Sequence, residues 1–218
     1  MDVKQTHHFL AGLAANNTKE WMDAHKADYQ TAREDFILLV KELIAGLQTI
    51  DPGIGNEDPK KCIFRLNRDV RFSTNKDPYK THFGAYMAIG GRTTGQPGYY
   101  LHIQPGNNFC GGGLYHPEAE ALKKVRQEID YNAAEFVSIV ESKEFTNHYP
   151  TAYDDRLKTA PKGYPKDHPH IDWLKYKSYA FTHTFTDAQA QSPDFVQQVL
   201  HSFRVLHPLV VFLRRGLD

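Results

Sequence analysis

The feature that most constrains this fold is a change of apolar period along the chain. Helical spacing up to about residue 50 gives way to alternation between about Lys61 and Tyr115, and helical spacing returns after Pro117. A segment written in period 3.6 buries one stripe of a helix, whereas one written in period 2 buries one face of a sheet. The chain therefore reads as helices, then strands, then helices. That order points to an α+β fold rather than to alternating βαβ units.

In the first zone, Phe9, Leu10 and Leu13 form a short stripe that Asn16-Asn17 interrupts, and Thr18 is placed to cap a second helix. Trp21, His25 and Tyr29 recur at helical spacing. Phe36, Val40, Leu43 and Leu47 then give a core-facing stripe before Asp51-Pro52-Gly53 ends the helix.

In the second zone Phe64, Leu66, Val70 and Phe72 share one parity, Phe83, Ala85, Met87 and Ile89 another, and Tyr99, Leu101 and Ile103 a third. Asn75-Lys76-Asp77-Pro78, the glycines from Gly90 to Gly98, and Pro105-Gly106-Asn107-Asn108 supply turn chemistry between them. Antiparallel hairpins are expected.

The third zone opens at Pro117, expected as the first residue of a helix carrying Leu122, Val125 and Ile129. Asn132 with Glu135 predicts the start of a short helix carrying Phe136, Ile139 and Val140. Pro150, Pro161, Pro165, Pro169 and Gly163 make the 149–170 connection irregular, a pattern often seen in lids and binding loops. Tyr179, Phe181, His183 and Phe185 alternate as a further strand. Ser192-Pro193 opens a closing helix carrying Phe195, Val199 and Phe203, which Pro208 is expected to break before Gly216 ends the second piece. The expectation is an α+β domain spanning residues 1–218, with a mainly antiparallel sheet of about five strands between N-terminal and C-terminal helices. Its segments are 1–50 (helical), 61–115 (sheet) and 116–218 (helices, the proline-rich loop and one strand).

Charge narrows the function classes. With 26 basic and 26 acidic residues the chain has no net field to draw it onto nucleic acid or an anionic membrane, so any such attraction must be local. Two cysteines, Cys62 and Cys110, each in an apolar strand-like run, disfavour a disulfide framework and fit a reducing cytoplasm. No secretory leader or run long enough for a bilayer is seen.

The local exception lies between Lys60 and Lys80, where seven basic residues face only Asp69 and Asp77. In a strand from Phe64 to Phe72, Arg68 would share the apolar parity. A guanidinium aimed inward needs a carboxylate or a bound anion, because an unpaired buried charge costs several kcal/mol. The expected ligand-binding set is Arg65, Arg68, Asp69, Arg71, Lys76, Tyr79, Lys80 and Tyr100. Asp69 would serve as a base or, being acidified by its arginine neighbours, more readily as an arginine-orienting carboxylate. Whether the site is catalytic is left open.

The run Arg65, Arg68-Asp69, Arg71-Phe72, Asn75-Lys76 and Tyr79, with two residues between Phe72 and Asn75, resembles the signature of a mainly bacterial family catalogued as domain of unknown function 2461. The resemblance implies coverage of nearly the whole chain, including Asn16-Asn17, Gly111-Gly112-Gly113 and the helix after Pro117. It implies a shared site and brings no assigned reaction.

Other motifs are weaker. Gly111-Gly112-Gly113 could cradle a phosphate, but it lacks the Gly-Lys-Ser/Thr ending and more often such glycines mark a bulge or close approach. No dinucleotide fingerprint is present, and no cofactor is expected. His168-Pro169-His170 between Asp167 and Asp172 is the densest metal-like cluster, but it has no second half at ligand spacing, and no metal is assigned. The reading favoured is a small anionic ligand, phosphorylated or carboxylated. The alternatives are a nucleic-acid or protein-binding edge using Phe72, Tyr79, Tyr99 and Tyr100 for stacking, and a purely structural ion-pair network. Oligomeric state is left open.

Overall fold

A computed structural model describes residues 2–218. The N-terminal zone forms α1 (Val3–Ala15), α2 (Lys19–Ala24) and α3 (Lys26–Ile50), followed by a single 3₁₀ turn (Pro52–Ile54) and the short α4 (Pro59–Cys62). Asp2 caps α1 by accepting from the Gln5 amide, and Thr18 caps α2 by accepting from the Trp21 amide at 3.2 Å. The break at Asn16-Asn17 is where the spacing places it. Phe36, Val40, Leu43 and Leu47 of α3 are all buried.

The sheet consists of β1 (Phe83–Ala88), β2 (Gly98–Ile103), β3 (Asn108–Leu114) and β4 (Tyr179–Phe185) in the order β1-β2-β3-β4, every pair antiparallel. Between β3 and β4 run α5 (Ala119–Tyr131), α6 (Ala133–Val140), α7 (Lys143–His148) and α8 (Ile171–Leu174); after β4 come α9 (Asp187–Ala190) and α10 (Phe195–Arg215). The register puts Ala85, Leu101 and Cys110 in one row, with Phe83, Met87, Tyr99, Ile103 and Phe181 on the same face. That face is covered by α10, which packs on β3 and against α3, while α5, α6 and α7 pack on α10. Phe203 of α10 lies 5.1 Å from the Tyr99 ring, and Phe136 of α6 lies 5.4 Å from Phe212. No helix among the described residues is long and apolar enough to cross a membrane.

Three expectations about the elements are corrected. The sheet has four strands rather than about five, because the 64–72 run is not a strand. It pairs only through isolated bridges, Ile63 with Ala85 and Asn67 with Tyr79. The chain folds back on itself as a narrow arm, closed by Arg68 N–H to the Pro78 carbonyl and Lys80 N–H to the Leu66 carbonyl. Of the alternating apolar residues only Leu66 is buried, and Phe72 at the tip is 95% exposed. With charges at positions 65, 68, 69 and 71, neither face of this run could be buried without stranding ions.

The second correction concerns α10, which continues unbroken through Pro208. Its apolar stripe is buried from Phe195 to Leu213, and this packing outweighs the lost backbone donor; Gly216 follows as the C-cap. Third, Pro117 precedes α5 rather than opening it, since the helix starts at Ala119. Gly111-Gly112-Gly113 lies inside β3, between β2 and β4, in the close backbone approach that such glycines more often mark, and its backbone serves the ladder. Gly113 has φ +108°, and a Cβ there would meet the Tyr179 carbonyl oxygen at 2.1 Å.

The 149–170 connection is irregular, as its prolines predict. Bridges Ala152–Phe181 and Arg156–Tyr176 hang it beside β4. Cys62 and Cys110 are free and buried, and burial raises the thiols to about 11 and about 12, so both stay protonated. Cys62 sits in α4 rather than in a strand.

Candidate anion site beside strand β1

The second face of the sheet presents Gly84 and Tyr86 from β1, Tyr100 and His102 from β2, and Phe109 from β3. Its edge is built by the arm. Phe64 N–H donates to the Gly84 carbonyl at 2.9 Å, which fixes Phe64 beside β1. The Phe64 ring then stands edge-on to Tyr100, with centroids 6.3 Å apart. Gly84 allows this approach, because a Cβ there would fall 2.5 Å from the Tyr100 hydroxyl oxygen.

Cations gather on Phe64. Lys80 Nζ lies 5.6 Å and Arg92 Cζ 5.2 Å from its centroid, within cation–π range. Arg92 is held by its Nε–H to the Lys61 carbonyl at 2.8 Å. The Lys80 ammonium is held below its ordinary range by burial first, then by the charges of Arg65 and Arg92. Among the described residues no carboxylate lies within 4 Å of Arg65, Lys80 or Arg92.

A polar chain continues inward. Tyr100 Oη is 3.0 Å from His102 Nδ1, and His102 Nε2 is 3.0 Å from Gln104 Oε1. The His102 ring, 7% exposed, is stacked between His82 at 4.2 Å and Phe109 at 4.4 Å. Burial holds both imidazoles neutral, bringing His82 down to about 4 with His102 and Lys80 adding to the shift. Burial also pushes the Tyr100 phenol up to about 12.

The eight residues singled out in the sequence separate into three groups. Lys80 and Tyr100 meet at Phe64 through the contacts above, and Arg65 adds its charge at Lys80. Asp69 and Arg71 pair with each other at the exposed tip, at 2.9 and 2.7 Å, and Lys76 Nζ donates to the Val70 carbonyl at 3.0 Å, so these three close the arm on itself. Asp69 is acidified by the Arg71 hydrogen bonds, which fits an orienting carboxylate better than a base.

The third group is positional. Tyr79 is bound at its backbone by Asn17. Arg68 is half-buried, touches Ser73 Oγ at 3.4 Å and has no carboxylate partner among the described residues, but it lies on the arm and not on the greasy side of a strand. Sequence reasoning missed Arg92, His82, His102 and Gln104. The parity shared by Tyr100 and His102 was the one signal available for His102.

Elsewhere, His168 Nε2 is 2.8 Å from Asp130 Oδ1 of α5, and the His170 amide donates to His168 Nδ1, so His168 ties the loop to α5. Two clefts, of about 480 and 350 Å³, share Glu141, Arg156, Trp173 and Tyr176 and lie under that loop, away from the arginine motif.

A family model described as Conserved hypothetical protein (DUF2461) matches residues 5–212. No curated protein and no solved structure matches the chain.

Proposed function

Because the chain belongs to the conserved hypothetical family DUF2461, which carries no reaction with its description, we propose a function from the site alone: binding of a small anionic ligand, phosphorylated or carboxylated, over Phe64. Arg65, Lys80 and Arg92 supply charge, and Phe64 and Tyr100 supply the walls. The observation that carries this reading is the Lys80 ammonium over Phe64 amid the charges of two guanidinium groups, with no carboxylate within ion-pairing distance among the described residues. Like charges held together cost free energy that a bound anion offsets, and a guanidinium matches a phosphate or carboxylate edge bidentately.

Two competing readings have less support. A structural ion-pair network needs carboxylates, and within the motif only Asp69–Arg71 forms such a pair. A nucleic-acid edge built on Phe72, Tyr79, Tyr99 and Tyr100 needs those rings exposed, and of the four Tyr99 is fully buried, Tyr79 and Tyr100 are half-buried and Phe72 alone projects.

The test is thermal unfolding at low salt with inorganic phosphate, acetate and a panel of phosphorylated and carboxylated metabolites. A ligand at a hundred times its Kd stabilises by about 2.7 kcal/mol, which reads as a clear rise in Tm. The rise should vanish in Lys80→Met and Arg65→Ala while Arg71→Ala retains it. If no anion raises Tm, or if the three variants respond as the wild type does, the proposal is wrong.

A further inference from the structure

Resting on the anion-site reading above, we infer that Tyr100 makes the site select an oxyanion that still carries a proton, namely hydrogen phosphate or the monoanion of a phosphomonoester, over sulfate. The argument follows one proton through a chain of hydrogen bonds.

Gln104 is held from two sides. Its Nε2 donates to Thr81 Oγ1 at 3.2 Å and its Oε1 accepts from Asn107 Nδ2 at 3.4 Å, so the carbonyl end faces His102. At 3.0 Å from that oxygen, His102 Nε2 must carry the ring proton. A neutral imidazole has one N–H, which leaves Nδ1 as an acceptor. Tyr100 Oη, 3.0 Å from Nδ1, spends its single proton there. The phenol oxygen, on a ring that meets the same Phe64 as Lys80 and Arg92 do, therefore offers lone pairs only to any further partner.

For an anion bound over Phe64, an acceptor on the Tyr100 side and cations on the Lys80 and Arg92 side discriminate. Sulfate at neutral pH has no proton and brings oxygen lone pairs against the Tyr100 oxygen. Hydrogen phosphate turns its O–H to that oxygen and its charged oxygens to Arg65, Lys80 and Arg92. The titratable and charged groups around the pair are His82, stacked on His102, Lys80 beside His82, Tyr115 next to Tyr100, and Arg65 and Arg92 at Lys80. None is a carboxylate that could take over the acceptor role.

The experiment is calorimetric titration of the full chain at low salt and pH 7.5 with inorganic phosphate, sulfate and methyl phosphate. Phosphate should bind at least about tenfold tighter than sulfate, the worth of one charge-assisted hydrogen bond. Tyr100→Phe should bring the ratio to about one by weakening phosphate. His102→Phe keeps the aromatic stack but frees the Tyr100 proton, and should bring the ratio down by strengthening sulfate, a gain that misfolding cannot mimic. Methyl phosphate should bind as phosphate does below about pH 6 and weaken above it, as its last proton leaves. Equal binding of phosphate and sulfate by the wild type would overturn the selectivity and leave the anion site standing. Binding of neither would overturn the selectivity and remove phosphorylated ligands from the anion-site reading.

Discussion

The Asn17 side chain brackets the backbone of Tyr79, accepting from its N–H at 3.1 Å and donating to its carbonyl at 2.9 Å. An amide side chain thus stands in for a strand partner and ties the arm to the junction of α1 and α2. Asn17→Ala should cost about 2 kcal/mol, two hydrogen bonds at about 1 kcal/mol each. Urea unfolding gives the total, and amide exchange at Arg68 and Lys80, whose N–H groups close the arm, should speed up more than exchange in β2. Uniform acceleration across both would contradict a local fastening.

Asp51 is the buried carboxylate of the core, 3% exposed. Arg214 Nη1 donates to its Oδ1 at 2.9 Å, Tyr99 Oη donates to its Oδ2 at 2.9 Å, and Nη2 lies 2.7 Å from Oδ2 but off hydrogen-bonding geometry. Burial alone would raise this carboxyl, but the Arg214 hydrogen bond and charge, aided by Tyr99, outweigh it and hold the group below its usual range. Asp51→Asn leaves a guanidinium buried without its counter-charge and should cost about 3–5 kcal/mol by chemical denaturation. The ion pair's stabilisation is full above about pH 4, the unfolded carboxyl's range, and is lost as pH falls through the lower folded value.

His82 and His148 are both held down to about 4, by burial first and then by neighbouring histidines, with Lys80 adding to His82. His148 is stacked on His183 at 3.9 Å. Between about pH 6.5 and 4 the unfolded chain takes up protons that the folded chain refuses. Stability is therefore complete above about 6.5 and drains away towards 4. Unfolding free energy measured across this window should fall, and the fall should be shallower in His148→Gln. A parallel slope in that variant would assign the loss to other groups.

Pro208 interrupts the donor ladder of α10 at an exposed position. Pro208→Ala restores a helix-forming residue with its N–H, and should raise stability by about 1–3 kcal/mol. A loss on substitution would mean that the flanking buried residues are packed around a proline-shaped bend.

The helices were legible because their stripes are long. Four apolar residues at helical spacing, as in Phe36, Val40, Leu43 and Leu47, leave little else for α3 to be. The arm was misread because alternation states which residues could share a face, not whether a free sheet edge awaits them. Phe64 and Leu66 found β1, whereas Val70 and Phe72 ran past it.

The charge density around residues 60–80 singles out Arg65 and Lys80, which the proposed site uses. Arg92, His82 and His102 could not be read with them, since only the β1–β2 pairing and the arm's return bring them to one place. Arg68 illustrates the converse. Its parity promised an inward guanidinium, and the fold left it half-exposed beside a serine.

In chain order α10 follows every element it covers. A nascent chain that has finished β1, β2 and β3 holds Leu101, Cys110 and Met87 against water until residues 195–215 arrive, and β3 keeps a bare edge until residues 179–185 return from their detour. Synthesis thus exposes an unroofed, greasy hairpin for as long as a ribosome needs to add about a hundred residues, at about 5–20 per second. Chaperone demand should concentrate in that interval.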